Sequence, residues 1–138
     1  MPARFYLDTS AYLGIVTGDE RAAGLAKELR GAAWLSSVVF VLEVQRNLVR
    51  LAREKILSAD DYVACSERLR RDLRGFCLRD ATLDLCQPAA MPGAMLPRSL
   101  DLLHLRTAEW FHEQEPLTRF VSLDRSQNQA ARELGLPA

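Results

Sequence analysis

Histidine and cysteine are scarce in this chain: two and three residues among 138. His104 and His112 lie far from a cysteine cluster, and Cys65, Cys77 and Cys86 form no CxxC pair, so the close spacing of a zinc site is missing. An odd number of scattered cysteines gives no disulfide framework either, and all three are read as buried or half-buried thiols in a reducing cytosol. An excess of either charge is also lacking. Lys plus Arg equals Asp plus Glu, 18 each, so the whole molecule is not a polycation, and nucleic acid would have to meet a local basic surface or a bound metal. Long apolar runs are missing too. The longest, Val38 to Leu42, is far short of the roughly 20 residues a membrane span needs. The opening MPARFYLD has no extended apolar region, so no signal peptide and no membrane partner are expected. Hydrophobic residues at 49% and charged ones at 26% suit one ordinary globular domain over 1–138 with a real core.

What the chain does contain is acid in unusual places. Asp8 sits in FYLDTSAYL, Glu43 in VVFVLEV, Asp101 in SLDLLHL and Asp124 in FVSLD. A carboxylate among Val, Leu and Phe loses hydration and persists only when its charge is compensated. No Lys or Arg interrupts these apolar stretches, although Arg46 and Arg98 stand three residues from Glu43 and Asp101. Each acid has a bland competitor. Asp8 and Asp124 can cap helices, Asp101 can answer a helix dipole, and Glu43 can pair with Arg46 or Asn47 on a surface. One shared divalent-cation site accounts for all four together, and a ligand can also cap.

Strands and helices alternate along the chain. Arg4–Asp8, Ala33–Leu35, Phe76–Leu78 and Phe120–Leu123 read as short strands. Helices are expected over Asp19–Leu29 with a stop at Gly31, from a Ser36 or Ser37 cap to about Ile56, over Tyr62–Leu73 after Ser58, and over Thr82–Ala90. Thr9 and Ser10 offer cap hydroxyls for a helix or turn after the first strand. Beyond the proline-containing MPGAMLPRS, Ser99 is expected to cap a helix from Leu100 to about His112, and a last helix runs from Ser126 to Leu134 before Gly135. The pattern implies an α/β fold with a largely parallel sheet, in which ligands gather beyond the carboxyl ends of the strands near the point of strand-order reversal. Asp8 and Asp124 fall at strand ends, Asp101 in the first turn of its helix and Glu43 on the second turn of a helix that follows a strand. All four can reach one sheet edge.

Oxygen donors without nearby histidines or thiolates suit a hard ion, Mg²⁺ or Mn²⁺, rather than zinc. Such carboxylate clusters serve phosphoryl transfer, so the favoured chemistry is metal-dependent hydrolysis of a phosphodiester. Without metal, four close carboxylates repel and titrate as a coupled group.

The segments LDTSAYL, SSVVFVLEVQR, LDLLHLRTA and VSLDRSQNQAARELGL resemble, in order and spacing, the blocks of PIN-domain nucleases, above all the VapC-type toxins of bacterial toxin–antitoxin modules. The resemblance covers nearly the whole chain. It implies a PIN-like three-layer α/β/α fold with a four- or five-stranded sheet, Mg²⁺ or Mn²⁺ as cofactor, RNA as substrate, a cognate antitoxin as partner, and a homodimer. Carried over by position, the acidic quartet is Asp8, Glu43, Asp101 and Asp124, and Ser10 matches a small hydroxyl residue that holds a metal-bound water or phosphate. Where some relatives carry a further acid, this chain has Ser126, Gln127 and Asn128, and Asn128 is the candidate to reach the site through water. Only LGLPA remains for a fifth strand, which is expected to be vestigial, very short or absent.

Other residues carry weaker signals. His104 lies one turn beyond Asp101, but its leucine neighbours and the resemblance favour a core or supporting role over a general base. Thr107 is expected to be a bonded, partly buried hydroxyl. Arg46, Arg50 and Arg98 are candidates for the scissile phosphate, ahead of the crowded Arg68, Arg70, Arg71, Arg74 and Arg79, whose default is a solvated helix face. Leu35, Val38, Leu42, Leu48, Leu51 and Ile56 could line an antitoxin groove, with ordinary core as the default. Two alternatives stand beside the nuclease: a catalytically silent binding module of the same fold, and an aspartate-nucleophile phosphatase. The phosphatase needs an acid at position 10, where serine stands, and a lysine, for which only Lys27 and Lys55 are available.

Overall fold

A computed structural model describes residues 2–87 and 98–138. Four short strands, β1 (Arg4–Leu7), β2 (Ala33–Ser37), β3 (Phe76–Arg79) and β4 (Arg119–Val121), form one sheet in the order β3-β2-β1-β4. Every pairing is parallel, with Phe5 opposite Trp34 on one side and Arg119 on the other. The chain therefore builds outward from β1 through β2 to β3, then returns to place β4 on the other side of β1. That reversal opens a crevice at the carboxyl ends of β1 and β4.

Alternation along β1 sends its side chains to opposite faces. Phe5 and Leu7 join Tyr12, Phe40, Leu48 and Leu69 in a core beneath α1 (Thr9–Thr17), α3 (Val39–Arg53) and α4 (Ala59–Asp72). Tyr6 points the other way, into a core with Leu105, Phe111, Phe120 and Ala131 from β4, α6 (Ser99–Gln114) and α7 (Arg125–Glu133). Tyr6 and Phe120 stack across adjacent strands with centroids 5.5 Å apart. The fold is thus the PIN-like three-layer α/β/α arrangement, with four strands among the described residues.

Several boundaries differ from those read in the sequence, each for a local reason. The helix expected over Asp19–Leu29 is broken into a 3-10 turn, Glu20–Ala22, and the short α2 (Leu25–Glu28). Gly24 between them sits at φ 84°, a left-handed conformation that ends one helical piece and starts the next at low steric cost. Asp8, rather than Thr9 or Ser10, caps α1 by accepting from the Ala11 amide. β2 runs on to Ser37, so neither expected serine caps α3: Val38 holds that position without a side-chain cap, and the Ser37 hydroxyl only accepts from the Val39 amide at 3.3 Å. The end of α3 comes at Arg53, earlier than Ile56, where Lys55 turns to φ 60°. α4 is capped by Ser58 and begins at Ala59. Ser99 is the first residue of α6, and Arg98 precedes it without a side-chain cap.

α5 (Leu83–Cys86) is shorter than the Thr82–Ala90 expectation, whose last residues, like the proline-containing stretch 91–97, lie outside the described residues. β4 stops at Val121 because Ser122 and Leu123 turn inward to build the site described below. No fifth strand forms among the described residues: the C-terminal segment meets β4 through the Phe120 amide donating to the Pro137 carbonyl at 2.6 Å. Of the thiols only Cys65 is buried; Cys77 lies on an edge strand and Cys86 on α5, both exposed. Leu35 and Leu48 belong to the core and cannot line a groove, whereas Val38, Leu42 and Ile56 are exposed. No helix among the described residues is long and apolar enough to cross a membrane.

Candidate active site

Asp8, Glu43, Asp101 and Asp124 all line one cleft of about 410 Å³. They reach it from the turn after β1, the second turn of α3, the first turn of α6 and the turn after β4. Ser10, Asn47, Arg98, His104 and Ser126 share the lining. The larger groove, about 520 Å³, lies at the amino ends of β2 and β3 among Arg30, Arg68 and Arg71. Its one carboxylate, Asp72, is already bonded by Tyr12 and paired with Arg68, so that groove gathers no comparable chemistry.

Two strand ends build their half of the cleft in the same way. Asp8 accepts the Ser10 hydroxyl at 2.7 Å, and Asp124 accepts the Ser126 hydroxyl at 2.7 Å, in each case on Oδ1. Both aspartates also cap the helix that follows, taking the Ala11 amide at 3.1 Å and the Ser126 amide at 2.9 Å. The two turns are stitched together. The Leu123 amide donates to the Ser10 hydroxyl, and the Ser10 and Ser122 hydroxyls stand 3.2 Å apart. Capping and convergence on the cleft are therefore one arrangement.

The opposite wall is built around His104. Its Nε2 stands 2.8 Å from Glu43 Oε1 and 3.2 Å from the Thr9 hydroxyl, while Nδ1 is 2.8 Å from the Tyr6 hydroxyl. Thr9 also donates to Glu43 Oε1 at 2.8 Å. Gln127 holds the start of α6 in place by donating to the Asp101 carbonyl. Among the described residues, no hydrogen bond reaches the Asp101 carboxylate.

The balance between burial and bonding partners divides the four acids into two pairs. Asp8 is only 5% exposed, and loss of hydration raises its carboxyl above the usual range despite the Ser122 hydroxyl, the His104 charge, the Ser10 hydroxyl and the Ala11 amide. Asp101 is raised too, first by desolvation and then by the charge of Asp124, with Glu43 adding to it and His104 and Arg98 opposing. Glu43 goes down: desolvation pushes it up, but the hydrogen bond and charge of His104 and the Thr9 bond outweigh this. Asp124 is lowered by the Ser126 hydroxyl above all, with its helix amides and Arg98 helping against desolvation. Asp101 thus sits in the field of two other acids.

The donor set fits a hard divalent ion in its chemistry: oxygen ligands of one charge around a cleft, with repulsion that a cation removes. Among the described residues, no three His, Cys, Asp or Glu side chains form a ready-made cage, so the acids border the cleft without meeting at a point.

The remaining sequence candidates divide. Arg98 lines the cleft near Asp101 and Asp124. Arg46 lies exposed on α3, outside the lining. Asn128 turns away and donates to the Ser122 carbonyl at 2.9 Å. Arg68 pairs with Asp72, and Arg79 stacks over Trp110 while pairing with Asp84. Thr107 is fully buried and bonded to the Leu103 carbonyl. Thr9, Asn47 and Ser126 are cleft residues that sequence reasoning did not select. The signal for Ser126 was present: Asp-x-Ser occurs at Asp8–Ser10 and again at Asp124–Ser126. Asn47 stands one helical turn after Glu43, the spacing that shares a face.

Comparison with known proteins adds to this geometry. Over 137 residues the chain is 29% identical to Ribonuclease VapC35 of Mycobacterium tuberculosis, in each of two strains, covering 95% of this chain and 92% of that protein. The crystal structure of PAE2754 from Pyrobaculum aerophilum superposes with a TM-score of 0.59 at 18% identity, covering 95% of this chain and 81% of that one, a likeness of fold. No family model matches the chain. The resemblance to VapC-type PIN-domain proteins drawn from the acidic blocks therefore holds, in sequence and in fold, across nearly the whole chain.

Proposed function

We propose that the chain is a metal-dependent endoribonuclease of the VapC type, hydrolysing RNA phosphodiesters in the acidic cleft and held inactive by a cognate antitoxin. The observation that carries this reading is the gathering of Asp8, Glu43, Asp101 and Asp124 from four distant segments onto one cleft at the strand-order reversal. A full-length likeness to proteins named ribonuclease supports the RNA substrate, and their VapC name supports the antitoxin partner. A homodimer and a cytoplasmic setting belong to the same proposal. The four carboxylates would hold Mg²⁺ or Mn²⁺. Such an ion supplies an activated water and stabilisation of the leaving oxygen.

The chain's own groups do the rest. Ser10 and Ser126 fix the two strand-end aspartates, and His104 with Thr9 fixes Glu43. Among the described residues Arg98 is the arginine at the cleft able to take a phosphate oxygen, in bidentate fashion where the backbone permits. No lysine lines the cleft, and Ser10 donates to Asp8, so an aspartate-nucleophile phosphatase finds no support among the described residues.

The test is direct. Purified protein should cut an RNA pool in Mg²⁺ or Mn²⁺ and stop on chelation with EDTA; cutting that persists in EDTA would overturn the proposal, and intact RNA at every metal concentration would favour a silent binding module. Substrate contact is tested separately. On an Asp8→Asn background that preserves the RNA, Arg98→Ala should flatten the salt dependence of single-stranded RNA binding by about 0.7 in log–log slope, the share of one phosphate contact. Arg46→Ala should leave that slope unchanged.

A further inference from the structure

We propose that His104, held by Tyr6, is a positioning residue for Glu43: together with Thr9 it claims one carboxylate oxygen and leaves the other for a cation in the cleft. This rests on the reading of Glu43 as a metal ligand. The network is buried and ties four elements together. Tyr6 comes from β1 and is fully buried, Thr9 opens α1, Glu43 lies on α3, and His104, 2% exposed, lies on α6.

Donor accounting fixes its direction. A carboxylate only accepts, so His104 Nε2 must carry its hydrogen towards Glu43 Oε1 in either charge state of the ring. Nδ1 then meets the Tyr6 hydroxyl at 2.8 Å, which donates to a bare nitrogen or accepts from a protonated one. Thr9 spends its hydrogen on the same Oε1. Two donors therefore converge on one oxygen, and among the described residues none reaches Oε2.

A histidine that only filled the core would not have one ring nitrogen on a cleft carboxylate and the other on a buried tyrosine. Glutamate is long and flexible, and an oxygen anchored twice before the cation arrives has already lost that freedom. Removing such an outer partner of a ligand typically weakens metal binding 10–100-fold.

The experiment is Mn²⁺ titration calorimetry on the full chain, with metal-free melting curves in parallel, for the parent, His104→Asn, His104→Gln and Glu43→Gln. Gln places its amide near the position of Nε2 and can reach Glu43; Asn is as polar but falls short. His104→Asn should weaken Mn²⁺ binding about tenfold or more and His104→Gln less than about threefold, with similar melting temperatures for the two. Equal affinity in His104→Asn and the parent overturns the inference, as does an equal loss in both histidine variants, which would mark a merely structural role. If Glu43→Gln binds Mn²⁺ as well as the parent, Glu43 is no ligand and the underlying reading falls with the inference. If it binds weakly while His104→Asn does not, only the inference falls. Should His104→Asn not fold, Tyr6→Phe takes its place, removing only the hydroxyl on Nδ1, and unchanged Mn²⁺ affinity there is the overturning result.

Discussion

Asp8→Asn is expected to cut metal-dependent RNA cleavage about a hundredfold or more, while the metal-free variant melts at or above the temperature of the parent. The first half follows from the proposed role, since changes to outer partners of a ligand alone reach a hundredfold in affinity or activity. The second half follows from where the carboxylate lies. Asp8 is almost wholly buried, with its ionised form disfavoured by desolvation. Replacing it by an uncharged amide removes that cost. The substitution also spares what the residue does for the fold: Asn caps helices about as well as Asp, so the Ala11 amide and Ser10 hydroxyl keep an oxygen to meet. Cleavage assays and melting curves on the same preparation decide the matter. A variant that loses activity and several degrees of stability together would make Asp8 a structural residue.

A second large effect is the opposition of pH and metal. Asp8 and Asp101 are raised above their ordinary value of 3.8, so their contribution to stability is complete below that pH and is lost as pH rises through the raised values. Glu43 and Asp124 are lowered, so theirs is present above the ordinary range and lost only as pH falls through the depressed values. The two windows meet in the ordinary carboxylate range, 3.8 for the aspartates and 4.5 for Glu43. Above the ordinary carboxylate range the raised pair governs, and the metal-free site should become progressively destabilising as pH rises through the raised values. The difference in melting temperature between the parent and Asp8→Asn reports the Asp8 share of that slope and should widen in the variant's favour as pH rises. Mn²⁺ at a hundred times its dissociation constant should then restore about 2.7 kcal/mol, on the order of ten degrees for a domain of this size. The gain should vanish in acid, where protons occupy the carboxylates. A Mn²⁺-induced shift of equal size at pH 4 and pH 8 would contradict the site described here.

Much of this arrangement is legible in the amino-acid order. The strand at RFYL, the helix around Glu43 and the final strand and helix declare themselves through apolar period and flanking turn residues, and the acids stand out because no Lys or Arg interrupts the apolar stretches that hold them. The errors share a cause. The helix expected from Asp19 to Leu29 has correct apolar spacing, but Gly24 breaks it, and spacing alone does not register a left-handed residue. Ser99 looks like a cap and is not one, because Arg98 already has the extended backbone of that position. Asn128 lies within reach of the site by sequence count, yet the inward turn of Ser122 gives its amide a nearer carbonyl. Leu35 and Leu48 are indistinguishable by type from Leu42, and only the packing of α3 on the sheet decides which face water.

The amino-acid order by itself determined that four carboxylates stand within or at the end of apolar runs, and that alternating strands and helices would bring two of them to strand ends. These are consequences of hydration and backbone period, which act over a few residues. Only the tertiary structure decided that β4 lies beside β1, that one buried imidazole links Tyr6 to Glu43, and that Arg98 rather than Arg46 faces the acids. Those facts depend on which distant surfaces bury each other, and hydrogen bonds between residues 61 and 98 positions apart leave no trace in local sequence.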